Sequence, residues 1–142
     1  GEIGRVLFWK VRMRPGMPFL FGEIGRTLVF CLPGNPVSTM ATYLGMVRPA
    51  LAAIQGSCEP PLRLLSARLS VPLVKRHERT EFVRAVREPG ADGVLHVRPT
   101  SHQGSAMLRG MVDADSLIIV PESTRTLEQG SIVQVLPIPE LY

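Results

Sequence analysis

Six residues, PGNPVS at 33–38, stand where an apolar run, LVFCL at 28–32, gives way to a segment of helical rhythm, VSTMATYLGMV at 37–47. Asn35 suits a helix N-cap, because its side-chain oxygen can accept from amides that the first turn leaves unpaired. Pro36 suits the first helical position, since the N–H it lacks is one the helix would not use. Behind it, Val37, Met40, Ala41, Leu44 and Val47 recur at the spacing of one buried helix face. Pro49 predicts a kink or a restart of this helix, and Gly56 a C-terminal cap. A strand running into a capped helix is an α/β step. Gly34 lets a ligand approach the backbone and Ser38 puts a hydroxyl in the first turn. The helix start therefore reads either as an anion site or as a plain cap, and the residues alone favour the cap.

Towards the N-terminus, VLFWKVRM at 6–13 reads as one apolar strand that ends in a stiff loop at Arg14-Pro15-Gly16-Met17-Pro18. FLFG at 19–22 and TLVFCL at 27–32 then read as two strands of a hairpin. The pentapeptide GEIGR occurs at 1–5 and again at 22–26. Repeat architectures need at least three units, so the two copies read as coincidence or as a shared turn-then-strand solution.

Towards the C-terminus the texture changes. GSCEPP at 56–61 reads as a linker and places a domain boundary there, giving parts 1–57 and 58–142. Beyond it Ala67, Leu69 and Val71 alternate with polar partners, and Phe82, Arg84 and Val86 oppose Val83 and Ala85. Segments 94–98, 117–121 and 131–137 are further strand candidates, with turn signals at Pro89-Gly90, Asp92-Gly93, Gly104, Gly110 and Gln129-Gly130. About five short strands without an intervening helix predict a small β-sandwich or barrel.

A chain of 142 residues with 45% hydrophobic content can bury a core. No apolar run reaches the roughly 18 residues that cross a bilayer, and no basic stretch followed by an apolar one opens the sequence, so neither a membrane span nor a signal peptide is expected. The first residue is Gly1, not Met. Cys31 and Cys58 form no C-x-x-C pair and read as reduced structural thiols of a cytoplasmic protein. Sixteen Lys and Arg against twelve Asp and Glu give a net charge of +4, and nearly all of the basic groups are Arg. The planar arginine fork suits oxyanions. A nucleic-acid binder would interleave aromatics with its basic strands, but aromatics total 6% and the central strands offer only Phe82. His77, His96 and His102 match no zinc spacing and read as structural or exposed, so no metal ligand is assigned.

The motif LPGNPVS at 32–38, the RPAL at 48–51 behind it, FWKVRMRPGMPFLFG at 8–22, ERTEFVRA at 78–85 and SHQGSAML at 101–108 together resemble the molybdopterin molybdenumtransferases, the family of MoeA and the gephyrin E-domain. They span nearly the whole chain in the family's order. The resemblance implies the second half of an α/β, molybdopterin-binding-like domain followed by the family's C-terminal β-domain. It also implies insertion of molybdate into adenylylated molybdopterin with release of AMP. Mg²⁺ would serve as cofactor, its carboxylate ligands lying in an upstream segment. A homodimer and contact with the molybdopterin adenylyltransferase are implied, with no nucleic acid or membrane partner. A non-catalytic scaffold of the same fold is the alternative, as gephyrin also anchors receptor tails.

Motif matching then implies a set of site residues. Lys10, Arg79 and Ser105 take catalytic positions. Arg14, Pro15, Gly34, Asn35, Pro36 and Ser38 take positions around molybdate and the pterin phosphate. The family commonly carries Lys where this chain has Arg14 and Met17. Arg14 keeps the charge in another geometry, whereas Met17 loses it and is left out of the set.

Overall fold

The computed structural model describes residues 3–58, 62–101, 103 and 112–139. Strands β1 (Arg5–Trp9), β3 (Leu20–Ile24) and β4 (Thr27–Cys31) form an antiparallel sheet in the order β1-β3-β4. The expected β3–β4 hairpin is present, turning at Gly25, whose φ of 58° is left-handed. The two GEIGR copies meet in this sheet, where Arg5 pairs with Glu23 and its guanidinium lies 2.9 Å from the Glu23 carboxylate.

The single strand expected over 6–13 is instead broken. Lys10 adopts a φ of 66°, a left-handed conformation uncommon for a side chain with a Cβ. The loop beyond it closes on itself, with the Lys10 amide donating to Phe19 O and the Val11 amide to Met17 O, both at 2.9 Å. The chain resumes as β2 (Met13–Arg14), which leaves the first sheet and pairs in parallel with β7 (Thr80–Pro89).

Helix α1 (Pro36–Thr42) runs through a π-helical turn (Tyr43–Val47) into α2 (Arg48–Ile54). The disturbance expected from Pro49 thus takes the form of a wider turn ahead of it, in which the Arg48 amide donates to Tyr43 O. Val37, Ala41, Leu44 and Val47 are buried along one face, and Gly56 ends the segment at a φ of 75°. Cys31 and Cys58 are both free, as unpaired thiols were expected to be, and both are exposed.

Strands β5 (Leu65–Leu69), β7, β8 (Leu95–Pro99), β9 (Ser116–Val120) and β11 (Ile132–Pro137) close a ring, because β7 pairs with β8 through its C-terminal half and with β9 through its N-terminal half. Of the two β architectures expected, the barrel is the one adopted. The short β6 (Leu73–Val74) and β10 (Thr126–Leu127), both absent from the sequence reading, pair beside it. Alternation decides what fills the barrel: Ala67, Leu69, Val83, Ala85, Val97, Ile118, Val120, Val133 and Val135 point inward and are buried together. The opposite parity points outward, where Ile132 stays exposed and one patch is covered by the helix. Leu117 and Leu136 pack with Met13, Ala41 and Leu44, against which Phe82 and Ile119 also rest. Val71, read as part of the first alternating strand, lies past its end and is exposed.

Candidate functional site

The loop after β2, the start of α1 and the beginning of β7 enclose a cleft of about 550 Å³. It is lined by Met13, Arg14, Pro15, Gly16, Met17, Pro18, Val37, Ser38, Arg79, Glu81, Phe82, Arg84 and Gln103. The parallel pairing of Met13 with Thr80 and Arg14 with Glu81 brings the loop to the strand. The Arg14–Pro15 peptide is cis. Gly16 sits at a φ of 115° against α1, where a Cβ would meet Thr42 Cγ2 at 2.5 Å. Only glycine allows this close approach of loop to helix.

Arg79 stands at the mouth of β7. Its amide donates to His77 Nδ1 at 3.2 Å, and its guanidinium reaches Met17 Sδ at 3.4 Å, a weak acceptor on the facing loop. His77 Nε2 in turn lies 3.4 Å from the Glu81 carboxylate. Arg84 is 1% exposed, and burial pushes its pKa down from a value so high that the guanidinium keeps its charge. Gln103 clamps the Arg84 backbone from both sides: its Oε1 accepts from Arg84 N at 3.2 Å, and its Nε2 donates to Arg84 O at 2.7 Å. The same amide nitrogen also donates to Thr100 O at 2.9 Å. Among the described residues, three guanidinium groups against one carboxylate make this a cationic cleft.

Of the residues singled out in the sequence, Arg14, Pro15, Ser38 and Arg79 come together here. Gly34, Asn35 and Pro36 do not line the cleft. The Asn35 side chain accepts from the amides of Val37 and Ser38 at 3.1 and 3.2 Å, so the chain's own cap takes up these two donors. The Ser38 hydroxyl lies 3.4 Å from the same oxygen. Lys10 is exposed and does not line the cleft, its ammonium resting 4.3 Å from the Trp9 ring centroid. Ser105 and His102 lie outside the described residues.

Sequence reasoning left out Met17, Glu81, Phe82, Arg84 and Gln103. Strand parity held the missing signal for Arg84, which shares the outward face of β7 with Phe82, the face that meets α1. Gln103 lies within the SHQGSAML motif at 101–108, which by itself points to no role for it. Among the described residues no three His, Cys, Asp or Glu side chains gather as a metal site.

Residues 66–138 match the family described as MoeA C-terminal region (domain IV), and residues 2–53 match the one described as probable molybdopterin binding domain. A molybdopterin molybdenumtransferase of Haemophilus influenzae is 31% identical over 99% of this chain, which corresponds to 35% of that protein. The gephyrin of Dictyostelium discoideum is 32% identical over 95% of the chain and 22% of its own length. Among solved structures, the molybdopterin biosynthesis moeA protein of Pyrococcus horikoshii OT3 superposes with a TM-score of 0.79 at 26% identity, covering 94% of this chain and 32% of that one. The chain therefore spans about a third of the molybdenumtransferase it matches in Haemophilus.

Proposed function

The chain belongs to the MoeA C-terminal-region family, and from that membership and its cationic cleft we propose that it supplies the oxyanion-holding part of a molybdopterin molybdenumtransferase. The reaction is insertion of molybdate into adenylylated molybdopterin with release of AMP. The observation that carries the reading is the convergence of Arg14, Arg79 and Arg84 with Ser38 on one cleft. Molybdate is a tetrahedral dianion, and arginine forks meet its oxygens with paired N–H donors whose positions are fixed before binding.

In this reading Arg79 and Arg14 face the anion from opposite walls, Ser38 donates its hydroxyl from the helix, and Arg84 supplies charge from beneath. Glu81, drawn towards His77, keeps its carboxylate away from the anion. Ser105 is assigned to the same chemistry by its motif alone, and Lys10 serves the pterin phosphate from the loop's other end. The sequence departure at Met17 becomes a contact rather than a gap, since its sulfur holds the Arg79 fork.

Mg²⁺ does not fit the residues described here. Among the described residues Glu81 is the one carboxylate lining the cleft, whereas Mg²⁺ demands an octahedral set of oxygens. In this reading the carboxylate ligands of Mg²⁺ are supplied from elsewhere in the enzyme. The reading carries with it a homodimer, delivery of the adenylylated pterin by its adenylyltransferase, and a cytoplasmic location.

Tungstate, a heavy analogue of molybdate, tests the reading by anomalous scattering from soaked crystals. A peak bounded by Arg14, Ser38 and Arg79 is expected. A peak elsewhere, with those side chains ordered, overturns the assignment. In solution, Arg79→Ala should weaken molybdate binding by about tenfold or more, the worth of one charge-assisted hydrogen bond.

A further inference from the structure

Only two lysines occur in the chain, Lys10 and Lys75. Lys75, directly after β6, is 2% exposed and therefore carries its charge in the interior. Burying an ammonium is unfavourable unless its donors are all taken up. Here they are. Nζ donates to Arg79 O at 2.9 Å, to Glu122 O at 3.2 Å and to Pro121 O, which matches the three N–H donors of an ammonium. The stem is fixed as well, since the Lys75 amide donates to Arg125 O at 2.8 Å.

The carbonyls so gathered belong to different parts of the fold. Arg79 carries one wall of the cleft. Glu122 extends its side chain to Arg12, whose Nε lies 3.1 and 3.2 Å from the two carboxylate oxygens. Arg12 in turn accepts from Thr80 N at 3.0 Å and leads directly into β2 and the Arg14–Pro18 loop. One buried cation thus ties the backbone under Arg79 to the strand that presents the opposing loop.

We propose that Lys75 is a positioning residue: its ammonium gathers the carbonyls of Arg79, Pro121 and Glu122 and so sets the Arg79 guanidinium opposite the Arg14–Pro18 loop. Without the cation, three carbonyl oxygens converge with no donor between them and must part, carrying Arg79 away from Met17. The consequence for oxyanion binding rests on the reading of the cleft given above. The consequence for the Arg79–Met17 contact does not.

The test uses the 142-residue chain with Lys75→Met, Lys75→Arg, Arg79→Ala and the double variant Lys75→Met/Arg79→Ala. It reads the methyl ¹³C signal of Met17, identified by its loss in Met17→Leu, together with the affinity for molybdate. Lys75→Met should move the Met17 signal towards its position in Arg79→Ala and weaken molybdate binding by about tenfold. It should add no further loss to Arg79→Ala, and Lys75→Arg, which keeps charge and donors, should restore both readouts. A Met17 signal unmoved in folded Lys75→Met, or losses that multiply in the double variant, overturns the proposal. If Lys75→Met does not fold, Lys75→Leu, which likewise has no donor, is read in the same way at a lower temperature. Absence of molybdate binding by the native chain sinks the oxyanion reading instead, while the methyl signal still decides the role of Lys75.

Discussion

At the scale of single residues, the cleft depends on conformations that few side chains tolerate. Gly16→Ala should place a Cβ within 2.5 Å of Thr42 Cγ2, on a backbone whose φ of 115° already disfavours it. Thr42 cannot swing aside freely, because its hydroxyl donates to Ser38 O at 2.8 Å within the helix. The expected outcome is a loss of more than about 1 kcal/mol, read as a lower urea midpoint at unchanged slope. Asn35→Ala removes the acceptor for the Val37 and Ser38 amides and should cost about 1 kcal/mol, whereas Asn35→Asp, which keeps an acceptor there, should cost little. The cap was legible from Asn-Pro at the strand-to-helix step, because capping chemistry is local. That Gly34, Asn35 and Pro36 would lie off the cleft while Ser38 lines it was not legible, since it depends on how the helix start packs against distant β2 and β7.

At the scale of elements, the β7–β8 hairpin is held at its tip by Asp92. Its carboxylate accepts from the Val94 amide at 3.1 Å and lies 3.4 Å from His96 Nε2 and 3.3 Å from Arg68. The Val94 hydrogen bond is the main reason its pKa falls below the usual carboxylate range, with the charges of His96 and Arg68 adding to it. A lowered folded-state pKa means the unfolded chain binds the proton more readily. The stabilisation is therefore present above the unfolded aspartate range and is lost as pH falls through the folded value. Asp92→Asn should have a lower urea midpoint than the native chain at neutral pH, and the gap should close as pH falls below the usual aspartate range and through the lowered folded value. A gap that persists in acid would assign the effect to shape instead of charge. Hairpins such as this one were readable from Pro89-Gly90 and Asp92-Gly93, because turn residues act through their own backbone. The break at Lys10 was not readable, because a left-handed lysine is imposed by the loop closing against Phe19 and Met17.

At the scale of the whole molecule, the sequence shows two textures while the packing joins them. The sequence passes from helical to alternating rhythm across 56–61, and alternation along β7 correctly separated the barrel's interior from its outside. What alternation could not convey is where the outside is covered. Met13 from β2 and Ala41 and Leu44 from the helix share one buried cluster with Leu117 and Leu136 of the barrel. The cleft lies along this same seam, so its walls hold their spacing only while the seam is intact. Leu44→Ala removes a side chain that is 2% exposed, and should cost about 2–5 kcal/mol. Fluorescence of Trp9, the chain's one tryptophan, reports on the first sheet, and amide exchange at Val97 and Ile118 reports on the barrel interior. If the seam couples the two parts, both probes should follow one denaturant transition, and Leu44→Ala should lower both midpoints by the same amount. Two separate transitions, with only the Trp9 probe shifted by the substitution, would show the barrel standing alone. The cleft would then be an encounter of two independent surfaces, and the spacing of Arg14 from Arg79 would need a bound anion to hold it.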